Sequence, residues 1–198
     1  TAGVEFAVEH TIKELKLPAP DKEKLNRFVG PPMQDSFIRE YGLSREEAQM
    51  AANLFRKNYV KKSLFMADLY PGIKEVLQYL KSKAFKIGVA TYKREDYAID
   101  IMKHFGIALY CDVMHGADNE NVLKKEDIIN MCLSEMDICN RESVVLIGDS
   151  EYDAIGAEKA GIDFFGVRYG FGFKEKEKLG KYKAIGWGVE IKDVLKYL

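Results

Sequence analysis

Hydrophobic and polar positions follow one rhythm in the first third of the chain and another in the rest. Val4, Val8, Ile12 and Leu15 recur at helical spacing until "KLPAP" stops the pattern with two prolines. A shorter helix is expected around Lys22–Phe28, ended by "VGPP", and a stronger one from "SREE", where Ser44 and Glu47 have the spacing of a capping box. Ala48, Ala51, Phe55 and Tyr59 then lie on one stripe, and no strand is expected before about residue 64.

From "YPG" at Tyr70–Gly72 the rhythm changes. Ile73, Val76, Leu77 and Leu80 form one helix face, followed by "FKIGVAT", a short apolar run that reads as a buried strand. Ala98, Ile101, Met102 and Phe105 mark the next helix, closed by Gly106; "YCDVMHG" is the next strand, and Ile128, Ile129, Cys132, Leu133 and Met136 the helix after it. "SVVLIGD" is a strand, "YDAIGAEKA" a helix ended by Gly161, "DFFGVRYG" another strand, and the tail "IGWGVEIKDVLKYL" ends in a short helix. Strands of continuous apolar residues alternating with amphipathic helices predict a parallel sheet covered on both faces. The expected fold class is therefore α/β: a doubly wound, Rossmann-like parallel-sheet core over residues 68–198 and an all-helical domain over residues 1–67.

Charge narrows the function. Thirty basic against 31 acidic residues leave a net −1, without the basic stripe expected of a nucleic-acid partner. No apolar run approaches a membrane span and no signal peptide is visible, so the expected setting is cytoplasmic, without membrane. Three cysteines, Cys111, Cys132 and Cys139, read as buried free thiols in a reducing compartment.

Ligands of open parallel α/β sheets bind outside the carboxyl ends of the strands. Three such ends carry polar residues here: Thr91 after "KIGVA", Lys124 and Lys125 at the start of a helix, and Asp149 with Asp153 beyond "VVLIG". Each has a simpler reading on its own. Thr91 fits a helix N-cap, Asp153 a first-turn acid beside a helix dipole, and Lys125 a solvated lysine. Together they are a hydroxyl, an ammonium and two carboxylates converging on one crevice. Paired hard oxygens suit Mg²⁺, and the remaining groups suit the oxygens of a phosphoryl group.

These residues resemble the haloacid dehalogenase superfamily of phosphohydrolases. "GVAT" with Thr91 matches its second motif, Lys125 (or Lys124) the third, and "GDSEYD" the fourth, G-D-x-x-x-D. "FVGPPM" and "LYPGIKEVLQYLK" are similar to phosphoglycolate phosphatase-type members with a helical cap. The resemblance implies a Mg²⁺-dependent phosphatase acting on a small phosphorylated metabolite through an aspartyl phosphate. It implies Asp149 and Asp153 as metal residues, Thr91 as donor to a phosphoryl oxygen, and Lys125 as the neutralising charge. Gly30, Pro31 and Pro32 would face the substrate from the cap, although "GPP" is also an ordinary helix stop. A β-phosphoglucomutase-type phosphomutase, a pyrophosphatase and a nucleotidase share these core motifs and stay open. A receiver domain, whose acids precede its Thr and Lys, does not fit the order Thr91, Lys125, Asp149.

The family's first motif, D-x-D-G-T, with the nucleophile and the general acid, does not occur in the 198 residues; "TAGVEFAVEH" resembles what normally follows it. That strand is central in the family's sheet. Losing it would orphan buried backbone groups at about 1–3 kcal/mol each, against a typical total stability of about 5–15 kcal/mol. An additional N-terminal strand is therefore the physical expectation; the alternative is an inactive protein that binds phosphate esters. His10, His104 and His115 show no metal-ligand spacing, "GVRYGFGF" reads as a turn, and "KEKEKLGKYK" at 174–183 as a solvated face.

Overall fold

The computed structural model describes residues 2–173 and 180–198, so the first six residues of "KEKEKLGKYK" lie outside the described residues. The chain divides into two compact units: Thr1–Asp68 with Asn119–Asn121, and Leu69–Asp118 with Val122–Leu198.

The first unit is helical. Helix α1 (Ala2–Glu14) buries Gly3, Ala7, Val8, Thr11 and Ile12. A Cβ on Gly3 would stand 2.2 Å from the Ser63 carbonyl oxygen, so a side chain there would force α1 away from the end of α4 (Arg45–Lys62). Helix α2 (Lys22–Asn26) is capped by the Asp21 carboxylate, which accepts from the Lys24 N–H at 2.7 Å. At the head of α4 the capping box forms as its spacing predicts: Glu47 N–H donates to Ser44 Oγ at 3.2 Å, and Ser44 N–H to Glu47 Oε2 at 2.8 Å. Helix α3 (Met33–Tyr41) is an addition to the sequence reading, which ended the helical pattern at "VGPP". Pro32 occupies the N-cap position rather than a stop, because a proline lacking an N–H loses nothing at a helix entrance. Phe28 and Phe37, both fully buried, meet edge to face with centroids 5.1 Å apart.

The second unit alternates strand and helix. Helix α5 (Ile73–Ser82) leads to β1 (Gly88–Arg94), then α6 (Glu95–His104), β2 (Val113–Ala117), α7 (Lys125–Glu135), β3 (Val145–Gly148), α8 (Glu151–Ala160), β4 (Asp163–Val167), β5 (Gly186–Gly188) and a 3-10 turn at Ile191–Lys196. All pairings are parallel: β1 with β2, β3 with β4, and β4 with β5. Among the described residues the strands form two ladders, β1-β2 and β3-β4-β5. Alternation decides which helix covers which face. Phe165 and Val167 of β4, with Val145 and Ile147 of β3, pack on α5 and the 3-10 turn, while Phe164 and Leu146 pack on α8. Residues one apart thus serve opposite layers, the signature of a sheet wound on both sides.

Strand β5 was invisible to the sequence reading, since Gly-Trp-Gly has neither apolar continuity nor β-branched residues. Cys132 is buried as expected, but Cys139 is exposed and Cys111 partly so. Cys139 lies between α7 and the strand-bearing segment, where no apolar layer covers it. No described helix is long and apolar enough to cross a membrane.

Candidate active site

Lys125 joins β1 to α8; β1 runs on to Arg94, so Thr91 lies within that strand and not at its end. Lys125 opens α7, is 7% exposed, and donates its backbone N–H to the Tyr92 hydroxyl at 2.9 Å. Its ammonium donates to the Ala90 carbonyl at 2.7 Å and pairs with Asp153 Oδ1 at 2.6 Å. An ammonium carries three protons, and among the described residues the third has no oxygen acceptor, with the Tyr92 ring 5.8 Å from the nitrogen. Its neighbour Lys124 is exposed, and its backbone N–H is taken by Asp127 Oδ2 at 2.9 Å. The close fit of α7 on α8 depends on Gly156: a Cβ there would lie 2.4 Å from Lys125 Cγ.

Asp153 is the third residue of α8 and is buried. Its Oδ2 accepts from Ser150 Oγ at 2.6 Å, Ser150 N–H at 3.1 Å and Asp149 N–H at 3.2 Å. One carboxylate oxygen therefore caps the helix and the other holds Lys125. The capping reading of this residue is realised, and its other oxygen adds the pair with Lys125. Gly148 keeps the turn tight, since a Cβ there would lie 2.4 Å from Asp153 Cβ.

Asp149 stands between the end of β3 and the N-cap Ser150. Its carbonyl accepts the Phe173 N–H at 2.9 Å, and its Oδ2 accepts the Phe171 N–H. Among the described residues its Oδ1 has no protein donor. Tyr169 packs on Tyr70 with centroids 4.7 Å apart. Burial, then Tyr70 and the charge of Asp149, push the Tyr169 phenol up to about 12, so it stays protonated at neutral pH.

Thr91 follows Ala90, the residue whose carbonyl holds Lys125. Its Oγ1 accepts the Lys93 N–H at 3.1 Å, which leaves the hydroxyl proton to donate. It does not cap α6: that helix begins at Glu95, with Arg94 at its N-cap. Gly30, Pro31 and Pro32 belong to the helical unit, in the turn between α2 and α3, with Gly30 at φ +111°. The four core residues thus share one unit, linked Ala90–Lys125–Asp153–Asp149, and the "GPP" turn is part of the other.

The donor set suits a small hard cation. Among the described residues no group of three or more His, Cys, Asp or Glu is placed to hold a metal ion. Both oxygens of Asp153 are engaged, and Asp149 Oδ1 is the hard oxygen without a donor. Few protein ligands, with water and phosphate oxygens completing the shell, is the habit of Mg²⁺.

A family model described as haloacid dehalogenase-like hydrolase matches residues 3–167, most of the chain and all four of these core residues. The chain is a member of that family. A 5'-nucleotidase of Pseudomonas aeruginosa is 29% identical over 175 residues, covering 88% of this chain and 79% of the relative. A phosphoglycolate phosphatase of Vibrio parahaemolyticus is 25% identical over 177 residues, covering 85% and 78%. A crystal structure of a predicted phosphatase from Clostridium acetobutylicum superposes with a TM-score of 0.91 at 32% identity, covering 99% of this chain and 90% of that one. The haloacid dehalogenase fold, an α/β core with a helical cap, is therefore this chain's fold, and its enzyme class is phosphoric monoester hydrolase.

Two features of this haloacid dehalogenase-like site escaped the sequence reading. Gly170 and Gly172 sit against Asp149, and Tyr92 holds the start of α7; both contacts bridge more than twenty residues and leave no local pattern. The glycine pair itself was the available signal.

Proposed function

We propose that this chain is a Mg²⁺-dependent phosphatase that hydrolyses a small phosphorylated metabolite, phosphoglycolate or a compound of similar size. The observation that carries the reading is the Lys125 ammonium, held between the Ala90 carbonyl and Asp153, in the same unit as an Asp149 oxygen that accepts from no donor among the described residues. When bound, Mg²⁺ supplies positive charge to the phosphoryl oxygens; Asp149 would hold it, with Asp153 behind. Lys125 neutralises charge building on the transferring group, and the Thr91 hydroxyl orients one phosphoryl oxygen. Asp153 keeps the Lys125 ammonium aimed by its 2.6 Å contact.

The attacking carboxylate, which would carry the phosphoryl group as an aspartyl phosphate, and the general acid come in this reading from residues outside the 198. Its support is twofold: no D-x-D-G-T occurs in the sequence, and the described strands form two separate ladders, β1-β2 and β3-β4-β5. Residues 1–67, as the cap domain, would supply leaving-group contacts through Gly30, Pro31 and Pro32. Three free cysteines fit a cytoplasmic setting.

The likeness to a 5'-nucleotidase favours a nucleotide-directed variant of the same chemistry. One experiment separates these readings: inorganic phosphate release by the full-length protein from 2-phosphoglycolate, nucleoside 5'-monophosphates, pyrophosphate and hexose phosphates, with Mg²⁺ and with EDTA. Release that EDTA abolishes is expected, and the preferred ester names the substrate class. Tight ester binding without release from any of them would replace the phosphatase with a binding protein; interconversion of hexose phosphates would point to a phosphomutase.

A further inference from the structure

The loop after β4 does more than leave the sheet. It turns back over Asp149, more than twenty residues earlier in the chain, and contacts it at both backbone and side chain. Phe173 N–H donates to the Asp149 carbonyl at 2.9 Å, and Phe171 N–H donates to Asp149 Oδ2. The glycines on either side of Phe171 make the approach possible. A Cβ on Gly170 would fall 2.0 Å from Asp149 Oδ2 and 2.2 Å from its Cβ. A Cβ on Gly172 would fall 2.5 Å from the Asp149 carbonyl oxygen and 2.8 Å from Ser150 Cα. Neither glycine has the positive φ found at Gly161 or Gly42, so space rather than backbone conformation demands them.

The loop is itself anchored. Arg168 N–H donates to the Gly188 carbonyl at 2.9 Å at its start, Tyr169 packs into the cluster of Val76, Phe165 and Val167, and Phe173 is buried against Phe164. Between these anchors run residues 170–172. On the other side, Asp149 N–H donates to Asp153 Oδ2 at 3.2 Å. Asp149 is thus held at its N–H, its carbonyl and one carboxylate oxygen, leaving Oδ1 as the oxygen without a donor among the described residues.

We propose that Gly170–Phe171–Gly172 is a positioning clamp that fixes the Asp149 carboxylate, presents Oδ1 to the divalent cation and so sets the affinity of the site for Mg²⁺. The proposal rests on the phosphatase reading for the presence of the cation, and adds a part for a loop that the sequence shows only as a turn. Preorganisation gives it its effect: a carboxylate already held by a backbone N–H loses less freedom when a cation binds. In Gly170→Ala the added methyl has no room beside Oδ2, so the carboxylate or the loop must move.

The test is isothermal titration of Mg²⁺ alone into the full-length protein, wild type and Gly170→Ala, followed by phosphatase assays across Mg²⁺ concentration. Gly170→Ala is expected to raise the Mg²⁺ Kd at least tenfold, with kcat recovering toward wild type at saturating Mg²⁺. Rescue by excess cation separates positioning from structural damage, which added metal does not repair. Wild-type Kd in the variant, or a loss of kcat that Mg²⁺ does not restore, overturns the clamp and leaves the phosphatase reading standing. No Mg²⁺ binding by the wild type overturns both. Should Gly170→Ala not fold, the Phe171 amide proton of the wild type is followed by NMR during Mg²⁺ titration. A shift saturating with the calorimetric Kd supports the clamp, and an amide that ignores Mg²⁺ refutes it.

Discussion

Replacing Lys125 by methionine tests the central pair directly. The two side chains are 9% and 12% exposed and 2.6 Å apart. Removing one partner of a buried ion pair typically costs about 3–5 kcal/mol, because the survivor is left charged and uncompensated. Here the survivor is partly compensated: Asp153 Oδ2 keeps its three donors from Ser150 and Asp149. The Ala90 carbonyl loses its donor as well. The expected cost is therefore at the lower end, about 3 kcal/mol. In the double variant Lys125→Met/Asp153→Asn no buried charge remains, so its cost should fall below the sum of the single ones by roughly 2 kcal/mol. Urea unfolding followed by fluorescence of Trp187, the sole tryptophan and part of β5, reads the α/β unit specifically. With a slope of about 2 kcal/mol per molar, Lys125→Met should lower the midpoint by roughly 1.5 M. A single-variant cost below about 0.5 kcal/mol, or strictly additive costs, would refute the idea that this pair joins α7 to α8.

Other outcomes follow from the same structure. Arg27 and then Arg39 hold the Glu40 carboxyl down from 4.5 to about 2. A carboxyl lowered on folding stabilises above its unfolded value and loses that contribution as pH falls through the folded one. The half-exposed arginines screen a nominal 3 kcal/mol to about 1–2, so Glu40→Gln should be less stable than wild type by that amount at pH 7 and match it near pH 2; a constant gap in urea midpoints across this range contradicts the assignment. Ser36 Oγ is buried without a hydrogen-bond partner among the described residues. Ser36→Ala should therefore raise stability by about 1 kcal/mol in thermal melts, and a loss of that size would show that the hydroxyl has a partner. Burial raises the Cys132 thiol to about 11, while Cys139 is exposed. Iodoacetamide at pH 8 should label Cys139 and spare Cys132 in the folded protein, checked by peptide mass spectrometry; equal labelling rates would be the contrary result.

Residues whose place in the fold follows from local pattern were legible in the sequence. Asp149 and Lys125 stand where strands end and helices begin, and amphipathic period marks such places well. The capping box at Ser44 and the αL glycine at Gly161 are likewise local chemistry. What stayed hidden depends on partners far along the chain. Gly156 looks like any helical glycine until Lys125 lies on it, and Gly170 like any turn until Asp149 comes beneath. Helix α3 was hidden for another reason: Pro32 opens it from the N-cap position, whereas a proline after a helical stretch reads first as a stop.

The helical unit is assembled from two stretches of chain, and synthesis delivers them at different times. The side-chain amides of Gln34 and Gln49 donate to the Asn119 carbonyl at 3.2 and 3.4 Å, and Arg56 to its side-chain oxygen at 2.8 Å. Asn119 follows Asp68, the end of the unit's first stretch, by 119 − 68 = 51 residues. At about 5–20 residues per second, translation leaves that stretch waiting roughly 3–10 s for its last acceptor. Helices that fold in far less time must wait, half-finished, for a tripeptide made while the sheet is still being written.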